Sequence, residues 1–215
     1  MAAKKTETSE TTVVIAPPNL QYVQFTIEGI TPYVQNKFPA KAAEEMRRKQ
    51  EAGSKAKSKN QREAKDFHEA YLNSLHVSHD GWYGIPAPAF RNAMISACRL
   101  AGFVMTRAKL AINVEAQGMD KDDGSPLVRI TKGEPEYSQD HVRLETGVAD
   151  IRPRGRWAEG WQAEITIQFD ADQFGPDDVC NLLIRAGQQV GVGEGRPDSK
   201  KSNGQGWGRF KVLNG

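Results

Sequence analysis

Three groups of residues have types and spacing suited to chemistry: a glycine-rich basic stretch near the C-terminus, an acidic run in mid-chain, and four histidines. The stretch is GVGEGRPDSKKSNGQGWGRF, residues 191–210. A loop that cradles a triphosphate needs a glycine directly before its lysine and a helix after it. Here Lys200 follows Ser199, and no helix-forming run comes next. Gly191, Gly193 and Gly195 also miss the dinucleotide-binding spacing, and they follow a predicted helix rather than an early strand. The acidic run, Asp120, Asp122 and Asp123 in DKDDG, starts like a calcium loop but lacks its alternation and its terminal glutamate. It reads first as a solvent-exposed turn and second as a candidate for metal-assisted phosphodiester chemistry. His68, His76, His79 and His141 have no cysteines at zinc-ligand spacing, and His76 with His79 read as a surface junction. Ser96, Cys98 and Cys180 fall inside predicted helices without a neighbouring general base. The expectation is a binding protein rather than an enzyme, with no cofactor, no metal and no catalytic residue.

Charge says what such a protein would bind. The chain of 215 residues has a net charge of only +2, but the charge is segregated. Residues 37–65 hold ten Lys or Arg against four Glu, and residues 191–212 hold five against two, which leaves −7 on the remainder. An acidic body presenting basic elements suits a polyanionic partner, whereas solvated charged insertions are the plainer alternative. Mean hydropathy is −0.61, and no stretch reaches the 18 apolar residues of a membrane span. The N-terminus, MAAKKTETSETTVV, has no apolar signal region, and Cys98 and Cys180 sit in apolar patterns that favour buried thiols over a disulfide. A soluble, cytoplasmic protein without membrane contact is expected.

The elements that must position these residues follow from periodicity. Residues 1–18 read as a poorly ordered arm, and LQYVQFTIEGI alternates as a half-buried strand. From 37 to 75 two helix-forming runs flank SKAKSK, an inserted basic lobe with a mobile tip. IPAPAFRNAMISACR starts a core helix near Pro88, placing Phe90, Met94, Ile95 and Cys98 on one side. A strand is predicted over 109–115, then a projecting, finger-like hairpin over 116–145, then a turn-rich basic stretch carrying Arg152, Arg154 and Arg156. WQAEITIQFD alternates as a strand, GPDDVCNLLIRAGQQV reads as a helix ended by Gly187, and GRFKVLNG closes the chain as a strand. Without its insertions the order is βαββαβ, an α+β, ferredoxin-like (RRM-like) palm over 19–215. Both helices then lie on one face, and the open sheet face is one that such folds commonly turn to a partner or nucleic acid.

IPAPAFRNAMISACR resembles the segment that introduces the first core helix of the repeat-associated RNA-binding (RAMP) superfamily. AGQQVGVGEGRP with GWGRFKV resembles that superfamily's glycine-rich signature. The nearest likeness is to backbone subunits of CRISPR surveillance complexes, including relatives encoded by phages and mobile elements. The resemblance implies a subunit that stacks helically with copies of itself, and with other effector-complex subunits, along single-stranded RNA or DNA, in a bacterial host cell if it is phage-encoded. No aspartate matches the cleaving aspartate of some members, so nuclease activity does not carry over. Two other readings compete: a phage or mobile-element assembly protein that keeps the fold but binds only protein, and a metal-dependent nuclease using Asp120, Asp122 or Asp123.

The residues expected to meet nucleic acid are Arg47, Arg48, Lys55, Lys57, Lys59 and Arg62 in the lobe, Arg91 on the core helix, and Arg152 and Arg154 in the basic stretch. In the glycine-rich end they are Gly193, Gly195, Arg196, Lys200, Lys201, Trp207 and Arg209. The glycines let the backbone turn and approach phosphates without a Cβ in the way. Trp207, flanked by Gly206 and Gly208, is expected as an exposed surface for a base or a subunit seam on Arg209's side of the last strand, with Phe210 facing the core.

Overall fold

The structure is a computed structural model that describes residues 15–38, 40–52, 66–143, 149–199 and 205–214; for 40–43, 49, 52, 141–143, 149 and 150 it describes the backbone alone. It is a mixed α+β fold with two antiparallel sheets and several helices. Residues 1–14 of the arm expected over 1–18, the middle of the lobe over 53–65 and the stretch 200–204 lie outside the described residues.

The larger sheet is built around β1 (Leu20–Gly29) and β9 (Gln162–Asp170), the two segments with the cleanest alternation. Their register sets Val23 opposite Ile167, Phe25 opposite Ile165 and Ile27 opposite Ala163, so one face is continuously apolar. β10 (Phe210–Val212) pairs with the outer edge of β1. On the other edge β9 pairs with both β4 (Ile112–Val114) and β6 (Pro126–Lys132). β3 (Gly84–Pro86) and β5 (Gly118–Met119) extend the sheet beyond β6. α3 (Ala87–Ala101) and α5 (Pro176–Arg185) contribute to the same core with Phe90, Met94 and Cys98 and with Val179, Leu182 and Leu183. Each fully buried aliphatic or aromatic side chain in that layer is worth about 1.5–3 kcal/mol.

The smaller sheet is β2 (Tyr33–Gln35), β8 (Ala149–Trp157) and β7 (Glu136–Arg143) in that order. Tyr33 joins it to the core, its ring 5.3 Å from Trp157 and 5.4 Å from Trp161. α1 (Ala40–Ala52) and α2 (Phe67–Leu72) are the described helices of the expected lobe. Asp66 caps α2 by accepting from the backbone N–H of His68 and Glu69.

Several elements differ from the sequence expectation for identifiable reasons. Residues 116–145 do not form one projecting hairpin: β6 joins the larger sheet, and β7 pairs with β8. The stretch holding Arg152, Arg154 and Arg156 is a strand, paired along its length with β7 and over 155–157 with β2, where turns were expected. The segment 109–115 is half helix, because α4 (Met105–Ala111) runs through its start and buries Ala108 and Ala111 against α3. Gly187 does not end the last helix; α5 continues as a π-helical turn over Ala186–Val190 and stops at Gly191, whose φ is 73°. Gly187 is required for space instead, since a Cβ there would lie 2.3 Å from the Phe210 carbonyl oxygen.

Candidate nucleic-acid interface

The glycine-rich loop is seated on the smaller sheet rather than projecting from the fold. The Glu194 N–H donates to the Val34 carbonyl at 3.0 Å, and the Val192 N–H donates to the Gly208 carbonyl at 2.9 Å. Gly193 and Gly195 have φ of 77° and 66°, the left-handed region that side chains disfavour. Close approach constrains both further. A Cβ on Gly193 would lie 2.6 Å from the Tyr33 ring and from the Val34 oxygen, and one on Gly195 would lie 2.6 Å from the Trp207 ring. The contacts that exclude a side chain here are thus the protein's own, where approach to phosphate had been the expectation.

Beside the loop, strand alternation puts Arg152, Arg154 and Arg156 on one side of β8 and Pro153, Gly155 and Trp157 on the other. The second set packs inward: Gly155 lies against Leu75, and Trp157 is buried. Arg154 is also buried and reaches Glu194 of the loop at 3.6 Å, while Glu194 accepts from the Asn36 amide at 2.8 Å. The Arg156 guanidinium stands 5.2 Å from the centre of the Trp207 ring, a cation–π distance. Trp207 is therefore half-buried between Gly195 and Arg156 rather than fully exposed. Positive φ at Gly206 and Gly208 also interrupts the strand parity that was expected to align it with Arg209. Phe210 is fully buried, as expected.

Of the other expected contacts, Arg196 donates to the Gly193 carbonyl at 2.9 Å and so braces the loop. Arg209 donates from Nε to the Gln188 carbonyl at 2.9 Å, on the π-helical turn. Arg91 donates to the carbonyls of Ile112 and Lys109, which ties down the end of α4. Arg47 and Arg48 are exposed on α1 and pair with Glu51 and Glu44 on the same helix. Lys55, Lys57, Lys59, Arg62, Lys200 and Lys201 lie outside the described residues. The structure thus brings together Arg154, Gly193, Gly195, Arg196 and Trp207, leaves Arg152 farther along the same side of β8, and adds Arg156, which its i, i+2 spacing from Arg154 should have singled out.

The outer face of the larger sheet offers a weaker surface. Gln24, Glu28, Gln162 and Glu164 bond to one another across the strands, and Lys211 closes on Glu28 at 2.9 Å. These bonds hold the Glu28 carboxyl below the usual carboxylate range, chiefly through Lys211 and then Gln162.

Sequence reasoning missed a buried polar network between the sheets. Lys37, counted with the solvated lobe, is 5% exposed. Its ammonium donates to Asp120 at 2.5 Å and to Asp122 at 2.7 Å. Asp120, read as part of an exposed turn, is wholly buried. Its second oxygen lies 2.9 Å from Nδ1 of His76, whose backbone N–H donates to Gln35 at 2.9 Å. Burial disfavours charge on both Lys37 and Asp120, and their mutual hydrogen bonds outweigh it: the lysine is held above its usual range and the aspartate below its own. His76, Asp120 and Asp123 also lie close enough to share a cation, but the Lys37 ammonium already neutralises the buried carboxylate. The one legible signal is parity, since Tyr33, Gln35 and Lys37 repeat every second residue from a buried tyrosine.

A cleft of about 350 Å³ opens between α3 and the glycine-rich loop, bordered by His76 and Asn36. A second of similar size, lined by Lys37, Phe38 and Arg152, opens beside β8. Among the described residues no helix is long and apolar enough to cross a membrane.

No family model and no curated protein matches the chain. Among solved structures, the crystal structure of Cmr6 from Pyrococcus furiosus resembles it at 9% sequence identity and a TM-score of 0.44, covering 91% of this chain and 99% of that one.

Proposed function

We propose that this chain is a non-catalytic, single-stranded nucleic-acid-binding subunit that assembles with copies of itself along RNA or DNA. The observation that carries this reading is the meeting of Arg154 and Arg156 with the glycine-rich loop and Trp207, with Arg152 farther along the same side of β8. Partly exposed guanidinium and aromatic surfaces side by side suit a single strand, since phosphates follow the charge and a base stacks on whichever plane is left open, while the buried Arg154 holds the loop through Glu194. The strand order also supports a ferredoxin-like βαββαβ core: β1, α3, the β4/β6 edge, β9, α5 and β10 follow one another, with β1 between β10 and β9. The repeat-associated RNA-binding likeness of the glycine-rich end agrees with both. Neutralisation of Asp120 by Lys37 supports a binding role over metal-assisted cleavage.

The test is fluorescence anisotropy with single-stranded RNA and DNA over a range of salt. Affinity should fall steeply with salt, with a log–log slope of about −0.7 for each phosphate neutralised. Arg156→Ala should shallow that slope, and Trp207→Ala should weaken binding by about 1–3 kcal/mol, the worth of one stacked base. Micromolar or weaker binding to every single strand at low salt, by folded protein, overturns the reading.

A protein-only assembly role is favoured by Leu100, Val104 and Leu110, which leave large apolar surfaces exposed around α3 and α4. It predicts oligomers whose size survives nuclease and high salt, with no 260 nm excess.

A further inference from the structure

The cleft between α3 and the glycine-rich loop has a composition that selects its occupant. Ala89, Asn92, Ala93 and Ser96 face it from α3, at the i, i+3, i+4 and i+7 positions of one helical face. With Pro86, Val190 and Val192 the alanines make an apolar wall, beneath a rim of amides and an imidazole. At about 350 Å³ the space lies within the range of small-ligand sites.

The carboxylates at its border are already paired, and its arginine braces the loop. Asp198 receives two hydrogen bonds from Arg99, both at 2.6 Å. Glu194 is taken by Arg154 and Asn36, and Arg196 by the Gly193 carbonyl. No surplus negative charge is left for a cation, and the guanidinium of Arg196 is turned onto the Gly193 carbonyl. Hydrogen-bonding capacity does remain. Asn92 is exposed, and its amide has no partner among the described residues. His76 sets Nδ1 against the Asp120 carboxylate, which leaves Nε2 as the ring's other hydrogen-bonding atom. An apolar wall edged by an amide and an imidazole nitrogen is complementary to a planar polar heterocycle, and a side-chain amide can bond such a ring twice.

We propose that this cleft seats one unstacked nucleobase, its ring against Ala89 and Ala93 and its hydrogen-bonding edge toward Asn92 and His76. The proposal rests on the single-strand reading and deepens it. The Arg156–Trp207 pair lies across the same glycine-rich loop, so a strand held there by its phosphates passes the mouth of the cleft.

The experiment uses the full chain, 2-aminopurine-labelled single strands, matched abasic strands and free nucleosides, with Asn92→Ala and Ala89→Phe as variants. Asn92 is exposed and Ala89 half-buried, so circular dichroism first confirms that both variants fold. The wild type should bind base-bearing strands more tightly than abasic ones. Both variants should lose about fivefold or more of that preference, the low end of one bidentate base contact, while abasic affinity and salt slope stay unchanged. Strand binding whose base preference neither variant alters overturns the cleft proposal and leaves the single-strand reading intact. If the wild type binds no strand, the single-strand reading fails, and equilibrium dialysis decides the cleft. Nucleoside binding abolished by Ala89→Phe then identifies a free nucleoside as the source of the base, and absence of nucleoside binding overturns this proposal as well.

Discussion

Replacing Lys37 by methionine tests the physical account of the buried network most directly. The substitution keeps the aliphatic stem and removes the ammonium that lies 2.5 Å from Asp120 and 2.7 Å from Asp122. Asp122 is 44% exposed at its side chain, so water replaces the lysine there at little cost. Asp120 is wholly buried and has no such recourse. Removing one member of a buried pair costs about 3–5 kcal/mol, mostly because the other charge is stranded. Asp120 keeps the N–H of Asp122 and Nδ1 of His76, each at 2.9 Å, which places the cost at the low end, about 3 kcal/mol. At roughly 2–4 °C per kcal/mol for a chain of this size, the melting temperature should fall by about 6–12 °C. Asp120→Asn combined with Lys37→Met should cost less than the two single changes added, with a coupling of about 1–3 kcal/mol. The pH dependence has a fixed sign. Asp120 is held below its ordinary 3.8, so its contribution is present above that value and is lost as pH falls below it. Lys37 is held above its ordinary 10.5, so its contribution is present below that value and is lost as pH rises through the raised one. Urea denaturation from pH 3 to pH 11 should therefore show a wild-type advantage over Lys37→Met that is level near neutrality and shrinks at both extremes. A loss under about 1 kcal/mol with additive single changes would refute the stranded-charge reasoning.

Gly193→Ala should destabilise by about 2 kcal/mol or more in urea titration, through positive φ and contact with Tyr33 and Val34, and should reduce strand binding with it. Arg91→Ala should cost about 1.5–3 kcal/mol by orphaning carbonyls at the end of α4, while the salt slope of binding by folded protein stays unchanged. Phe210→Ala should cost about 3–5 kcal/mol, as for a buried phenylalanine, whereas the half-buried Trp207→Ala should lower the melting temperature less and binding more. Similar thermal losses for the two, with binding intact in Trp207→Ala, would make the tryptophan a packing residue.

The sequence by itself determined whatever rests on local periodicity. Alternation in β1 and β9, the apolar side of α3 and the buried Phe210 were legible because each depends on neighbours two to four residues away. Tertiary contact decided the rest. Whether 149–157 was turn or strand depended on β2 and β7 lying on either side of it, and whether 105–111 was helix depended on small residues packing against α3. Lys37 looked solvated because its run is basic; it is buried because Asp120, far along the chain, supplies a counter-charge at 2.5 Å. Trp207 looked exposed because its neighbours in sequence are glycines; its cover comes from Gly195 and from Arg156, on another strand. A periodic pattern records which face of an element is apolar, but the partner of a buried charge or a half-covered ring is set by where the chain returns.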